Sequence, residues 1–314
     1  MKAVVYDHFG DPEVLQLKEV PTPVPKANEV LIRLSYSGVN PVDAKIRMGY
    51  FKDAMPHNFP VIPGWEGAGV VTEVGERVKD LQVNDTVYGY FRQPEIGHGT
   101  YAEYIAVPEE LVVKIPRELS LKEASSIPLV TLTAWQALFD AAKLQPHETI
   151  LIHAAAGGVG GMAVQLAHLK GAKVFATAQE HNHEYVKKLG ADVVIDYKKQ
   201  DVRQVLFSHV PQGVDVVLDC VGGHVTDESF MCVKPVGRVV SVVDRTVVDK
   251  APKNVKAQFV FVAPNQKQLK EIGDLLDVHK LMPLRLTEFS LADARKAQEL
   301  IMTGQTVGKL VLRI

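Results

Sequence analysis

The chain has 314 residues, more than one hydrophobic core usually supports, and at roughly 100 to 200 residues per domain it reads as two domains. With 46% hydrophobic and 23% charged residues it has the composition of an ordinary folded protein, and a formal charge of −2 with Lys and Arg scattered singly or in pairs excludes the basic stripe of a nucleic-acid binder. The start MKAVVYDHFG lacks an apolar signal core, no run approaches the roughly 18 apolar residues of a membrane span, and Cys220 and Cys232 are too few for a four-cysteine zinc site or a disulfide framework. A cytoplasmic protein with a small-molecule partner, and no nucleic acid or membrane, is the expectation.

Up to residue 120 the chain is a succession of short β segments with many turns: KAVVY, LQLKEV, a stiff PTPVPKANE linker, VLIRLSYSGVN, AGVVTEVG, DTVYGYF, YAEYIAVP and LVVKI. This predicts a β-rich, barrel-like unit. Within it, the triplet Gly64-Trp65-Glu66 raises a chemical question. A histidine in place of Trp65 would suit a metal, whereas an indole nitrogen only donates. His57, His98 and His153 stand alone in ligand spacing and read as surface or core residues. From Leu121 the strands ETILIHA, AKVFATA, ADVVIDY, GVDVVLDC, GRVVSVV and KAQFVFV alternate with helical patterns, the βαβ rhythm of a doubly wound parallel sheet. Two amphipathic helices, QKQLKEIGDLLDVH and LADARKAQELIMTG, and a final strand VGKLVLRI close the chain and are assigned back to the first domain. The boundaries read as 1–120 with 263–314, and 121–262.

The strongest motif is Gly158-X-Gly160-X-X-Ala163, between an apolar strand and a helix. Such glycines permit a tight turn and close backbone approach, and the helix N-terminus offers free N–H groups to a pyrophosphate, so dinucleotide binding is expected. An NAD site places an acid about 20 residues on from the glycines; here Ala178 stands there, followed by Gln179, His181, Asn182 and His183, which would leave the 2′-phosphate of NADPH unopposed. Glu180 argues the other way if it points inward.

The succession GVNPVDAKIRMG, PVIPGWEGAGVVTEVG, GTYAEYIAVPEELVVKIP, IPLVTLTAWQAL, HAAAGGVG, LGADVVIDY, DCVGG and GKLVL resembles the medium-chain dehydrogenase/reductase superfamily, and within it the zinc-free quinone oxidoreductases and alkenone reductases, from Met1 to Ile314. The resemblance implies an α/β architecture, a GroES-like domain beside a Rossmann domain with the active site in the cleft between them, and a homodimer. It implies that Asn40, Trp65 and approximately Leu129 occupy the three zinc-ligand positions of the alcohol dehydrogenases, so that Trp65 walls the cleft instead. Activity would be NADPH-dependent hydride transfer to a quinone or an α,β-unsaturated carbonyl. Thr133 matches a threonine lining the nicotinamide pocket. Ala156, Gly157, Gly158, Val159 and Gly160 match the pyrophosphate loop. Asp219, Val221, Gly222, Ser241, Val242, and the backbone of Phe261 and Val262, match strand ends facing the cofactor. Tyr197 matches a contact to the 2′-phosphate, and Asn182 departs from a lysine common at its place. Lys45 is what alkenone reductases show where quinone-specific relatives carry tyrosine. Its ammonium would stabilise an enolate oxygen, with Asn40 as amide donor and Tyr50 closing the cleft or supplying a proton. Asp43 is expected to hold the loop or pair with a cation. Two other readings fit the same motifs: a 2-enoyl thioester reductase, for which Arg47 and Lys52 are the basic candidates, and a non-catalytic NADPH-binding protein, crystallin-like or RNA-associated.

Overall fold

In a computed structural model describing all 314 residues, the turn-rich first stretch forms short strands because its apolar residues alternate, which buries one face of each. In chain order the elements are β1 (Lys2–Val5), β2 (Gln16–Glu19), β3 (Glu29–Val39), α1 (Pro41–Arg47), β4 (Glu66–Val74), β5 (Thr86–Tyr90), β6 (Tyr104–Pro108), β7 (Val112–Lys114) and α2 (Leu121–Ala124). Next, α3 (Pro128–Trp135) runs into a π-helical segment, Gln136–Ala141. The alternating part follows as β8 (Thr149–Ile152), α4 (Gly158–Leu169), β9 (Lys173–Thr177), α5 (His183–Lys188), β10 (Val193–Ile195), α6 (Val202–His209), β11 (Val214–Asp219), α7 (His224–Cys232), β12 (Val233–Ser241), α8 (Val247–Lys250) and β13 (Lys256–Phe259). The tail adds α9 (Gln266–Asp277), β14 (Leu286–Ser290), α10 (Ala294–Met302) and β15 (Lys309–Arg313). The chain divides into two compact units, Met1–Leu129 with Pro264–Ile314, and Val130–Ala263.

The spine of the first unit is β3, which pairs antiparallel with β15, β4 and β6 in a seven-stranded sheet of order β14-β15-β3-β4-β5-β7, with β6 off that path. Val30, Ile32 and Leu34 point from β3 into a core with Val71, Val87, Ile105 and Val107. Register then fixes what meets at the strand's end. Leu310 lies opposite Val39 and Ser37 opposite Gly67, so Lys309 on β15 and Glu66 on β4 both arrive beside Asn40, where β3 gives way to α1. β14 is a strand that the alternation of its own residues does not announce. It forms by parallel pairing with β15.

In the second unit six strands pair in parallel, in the order β10-β9-β8-β11-β12-β13. This is the doubly wound order, and its direction reverses between β8 and β11, where such sheets open a crevice at their carboxyl ends. Leu151, Phe175, Val217 and Val239, one from each of four adjacent strands, pack with Leu206 and Val247 into the core. β13 stops at Phe259, so Phe261 and Val262 lie beyond the strand rather than in it. No helix is long and apolar enough to cross a membrane.

Candidate functional site

The carboxyl ends of β8, β9, β11 and β12 gather most of the residues expected to hold a dinucleotide. After β8 the chain turns through His153 and Ala154 into a loop in which Ala156, Gly157, Gly158 and Val159 are half-buried and Gly160 is buried. α4 begins at Gly158, with Gly157 as its extended N-cap, so the N–H groups of its first turn have no carbonyl of their own helix to bind. At Gly160 a Cβ would come 2.4 Å from the Ala154 carbonyl oxygen, so only glycine lets the helix start this close to the loop. Beneath it, Thr177 Oγ1 accepts from the Ala154 N–H at 3.2 Å and contacts His153 Nδ1 at 3.3 Å. Burial holds the His153 ring down at about 4, with Asp219 opposing, so the imidazole stays neutral.

Asp219 acts on the loops around it. Its Oδ1 accepts from the Val221 and Gly222 N–H groups at 2.8 and 2.9 Å, and its Oδ2 from the Thr226 and Ser241 hydroxyls at 2.6 and 2.9 Å. Ser241 Oγ in turn accepts from the Asp244 N–H at 2.9 Å. The carboxylate is thus committed within the protein, and what it presents outward is the exposed Val221 and half-buried Val242. Phe261 is exposed, whereas Val262 and Thr133 are buried.

At the end of β9, Ala178 is buried and Gln179 donates to the Tyr197 hydroxyl at 3.1 Å. Asn182 is buried with its amide on His181 at 3.2 Å, which leaves the exposed His181 ring, not Asn182, as the outward group of that turn. Residues 178–183 contain no arginine or lysine, and the fold supplies cations there from the next loop. Lys199 pairs with Glu180, and Lys198 lies over the Tyr197 ring at 5.4 Å, because β10 delivers DYKKQ beside the β9 turn. The donors and conformations present fit an anionic dinucleotide, and the pairing of Glu180 with Lys199 offsets the charge that would repel a second phosphate.

In the other unit, Asn40 and Trp65 are buried, Lys45 is half-buried and Tyr50 is 69% exposed. The Trp65 indole packs edge-on against Phe51 and Tyr90, with centroids 6.4 and 6.2 Å away. Lys45 has no partner in the chain, and burial holds its ammonium below its usual range. Asp43 does more than hold a loop. It is 1% exposed, its Oδ2 accepts from the Asn40 N–H at 2.8 Å and the Tyr101 hydroxyl at 3.2 Å, and its Oδ1 has no partner. Burial pushes it up to about 7, and no cation pairs with it.

Residues 26–117 match the family described as alcohol dehydrogenase GroES-like domain, and residues 189–312 the one described as zinc-binding dehydrogenase. A 2-methylene-furan-3-one reductase of Solanum lycopersicum is 37% identical over 99% of this chain and 79% of its own. The chain belongs to the medium-chain dehydrogenase/reductase superfamily. Among solved structures, the quinone oxidoreductase from Coxiella burnetii superposes with a TM-score of 0.90 at 35% identity, covering 100% of this chain and 99% of that one. An Escherichia coli quinone oxidoreductase complexed with NADPH gives 0.89 at 26% identity, with 100% of both chains covered.

Beside Asn40 stand two functional residues that sequence reasoning missed. Glu66 is 0% exposed, and its Oε1 accepts from Lys309 Nζ at 2.7 Å and Asn40 Nδ2 at 2.8 Å. Its Oε2 accepts from the Leu129 N–H at 2.7 Å. Lys309, 2% exposed, also donates to Asn40 Oδ1 at 2.6 Å and the Val39 carbonyl at 3.2 Å. The three positions matched to zinc ligands are therefore tied to one buried ion pair, through Asn40 and Leu129 directly and Trp65 as the neighbour of Glu66. The Gly-X-Glu triplet was the available signal for Glu66. Nothing in GKLVL distinguished Lys309 from a surface lysine.

Proposed function

We propose that the chain is an NADPH-dependent reductase that delivers hydride to a quinone or an α,β-unsaturated carbonyl, acting without zinc. The observation that carries the reading is the donor set: by the resemblance Asn40, Trp65 and approximately Leu129 stand at the ligand positions, and of the two nearby carboxylates Glu66 already holds the Lys309 ammonium while Asp43 accepts from the Asn40 N–H and the Tyr101 hydroxyl. Amide, indole and alkyl groups do not build a Lewis-acid site, so substrates whose product charge spreads over a conjugated oxygen suit it better than simple alcohols. Relatives named as a furanone reductase and quinone oxidoreductases support that class.

Bound at the loop after β8, NADPH supplies the hydride. The chain's own residues do the rest. The α4 N-terminus and Gly157 to Gly160 receive the pyrophosphate, while Gln179, Tyr197 and Lys198 receive the 2′-phosphate. Asn40 and the partnerless Lys45 donate to the substrate oxygen, and Trp65 gives an apolar wall. Tyr50, freely exposed, brings a proton from solvent. For a thioester substrate Arg47 is no phosphate ligand, since it is 1% exposed and held by Gln298 and the Gly10 carbonyl. A cytoplasmic homodimer belongs to the same proposal.

Steady-state oxidation of NADPH and NADH, measured with a quinone, a short enone and an enoyl thioester, tests it. Turnover of the first two with NADPH preferred is expected, and Ala178→Asp should shift the preference toward NADH. Turnover confined to the thioester, or to a simple aldehyde in the presence of zinc, would overturn the reading.

A further inference from the structure

The Asn40 carboxamide is clamped at both ends by opposite charges. Its oxygen accepts from the Lys309 ammonium at 2.6 Å, and its nitrogen donates to Glu66 Oε1 at 2.8 Å. Rotating the amide by half a turn would aim its NH2 at an ammonium and its carbonyl at a carboxylate, replacing two charge-assisted hydrogen bonds by two repulsions. In most proteins the flip of an asparagine is a matter of inference, but here the two charges dictate it. A carboxamide nitrogen carries two hydrogens, and Glu66 takes one. The other has no acceptor in the chain, although Asn40 is 2% exposed. A buried donor left without an acceptor is costly, so this N–H awaits an oxygen from outside the chain.

Lys309 cannot be that donor. Its three hydrogens are spent on Val39, Asn40 and Glu66. The fold also reserves the space for the carboxylate, since a Cβ on Gly38 would stand 2.4 Å from Glu66 Oε1. We infer that Lys309 is a positioning residue: with Glu66 it locks the Asn40 carboxamide oxygen-inward and leaves one amide N–H as the donor for the substrate oxygen. The inference rests on the quinone or enone reading for the identity of that oxygen, and on geometry alone for the lock.

Two measurements separate these. In protein labelled with 15N-asparagine, the side-chain signals of Asn40 are identified by their loss in Asn40→Ala. In the wild type they should exchange slowly with solvent, and in Lys309→Met they should shift and exchange at least tenfold faster. Unchanged signals would overturn the lock, whether or not the enzyme turns over any quinone or enone. In kinetics, Lys309→Met should lower kcat on an enone by about ten- to a hundredfold with NADPH affinity unchanged, and should have no further effect in the Asn40→Ala background. Additive losses would overturn a role exerted through Asn40. Because Lys309→Met strands a buried carboxylate, Lys309→Met with Glu66→Gln provides a charge-neutral variant. It should fold with kcat still depressed, and recovery of wild-type kcat would show that Lys309 only balances charge. If the wild type reduces no quinone or enone, the functional reading fails while the exchange measurement still decides the lock.

Discussion

Two neighbours on α1, Asp43 and Lys45, carry different consequences because burial acts on groups of opposite charge. Burial raises Asp43 to about 7, so the folded protein keeps a proton that the unfolded chain releases near 3.8. Between those values the unfolded state binds fewer protons, and stability conferred by this group falls as pH rises, levelling off above about 7. Asp43→Asn keeps an acceptor for the Asn40 N–H and the Tyr101 hydroxyl but has nothing to ionise. Unfolding free energies of the two proteins, from denaturant titrations between pH 4 and 8, should therefore diverge in favour of the variant up to about pH 7, by an amount on the order of a few kcal/mol, and then run parallel. A constant difference across that range would mean that Asp43 ionises normally. Lys45, half-buried without a partner, should matter for turnover rather than folding. Lys45→Ala is expected to lower kcat/KM for enones by roughly ten- to a hundredfold, about 1.4 to 3 kcal/mol for one charged donor, with NADPH affinity barely changed. An equal loss of cofactor binding would return Lys45 to a general role in the unit.

The turn from β8 into α4 shows what local sequence can and cannot specify. Gly160→Ala would force a Cβ to 2.4 Å from a backbone oxygen that cannot swing aside, so α4 must shift away from the loop. We expect a loss of roughly 1 to 3 kcal/mol in stability and a weaker dinucleotide complex, measured by calorimetry with NADPH. Wild-type affinity in that variant would mean that the loop is more pliant than its geometry indicates. This turn was legible because glycine spacing, strand and helix all lie within one short segment, where each residue type states its own backbone requirement. The β14 strand was not, since LTEFS is short, largely polar and half-exposed, and exists through its pairing with β15. Lys198 and Lys199 were overlooked as neighbours of the β9 turn for the same reason, since parallel pairing of β9 and β10 brings them there. The Glu66–Lys309 pair is the extreme case. Its members are 243 residues apart in the chain and meet only because β15 and β4 flank β3.

At the scale of the whole molecule, the family descriptions and the chemistry of the residues pull in different directions over zinc. The match described as zinc-binding dehydrogenase spans residues 189–312 and includes none of Asn40, Trp65 and Leu129, so its name says nothing of the donors themselves. No group of three His, Cys, Asp or Glu residues anywhere in the chain is placed to hold a metal ion. The two thiols offer no substitute, since both lie in the Val130–Ala263 unit and burial pushes Cys232 up to about 11 and Cys220 further still, where neither forms thiolate at neutral pH. Positive charge beside Asn40 comes instead from Lys309, which is covalently part of the chain and cannot be removed by a chelator. The purified protein should accordingly hold well under one zinc per chain by elemental analysis, and prolonged treatment with EDTA should leave both its melting temperature and its NADPH-dependent turnover unchanged. One zinc per chain, lost to the chelator together with activity, would mean that Glu66 exchanges its lysine for a metal and that the ion pair seen here is only one of its two states.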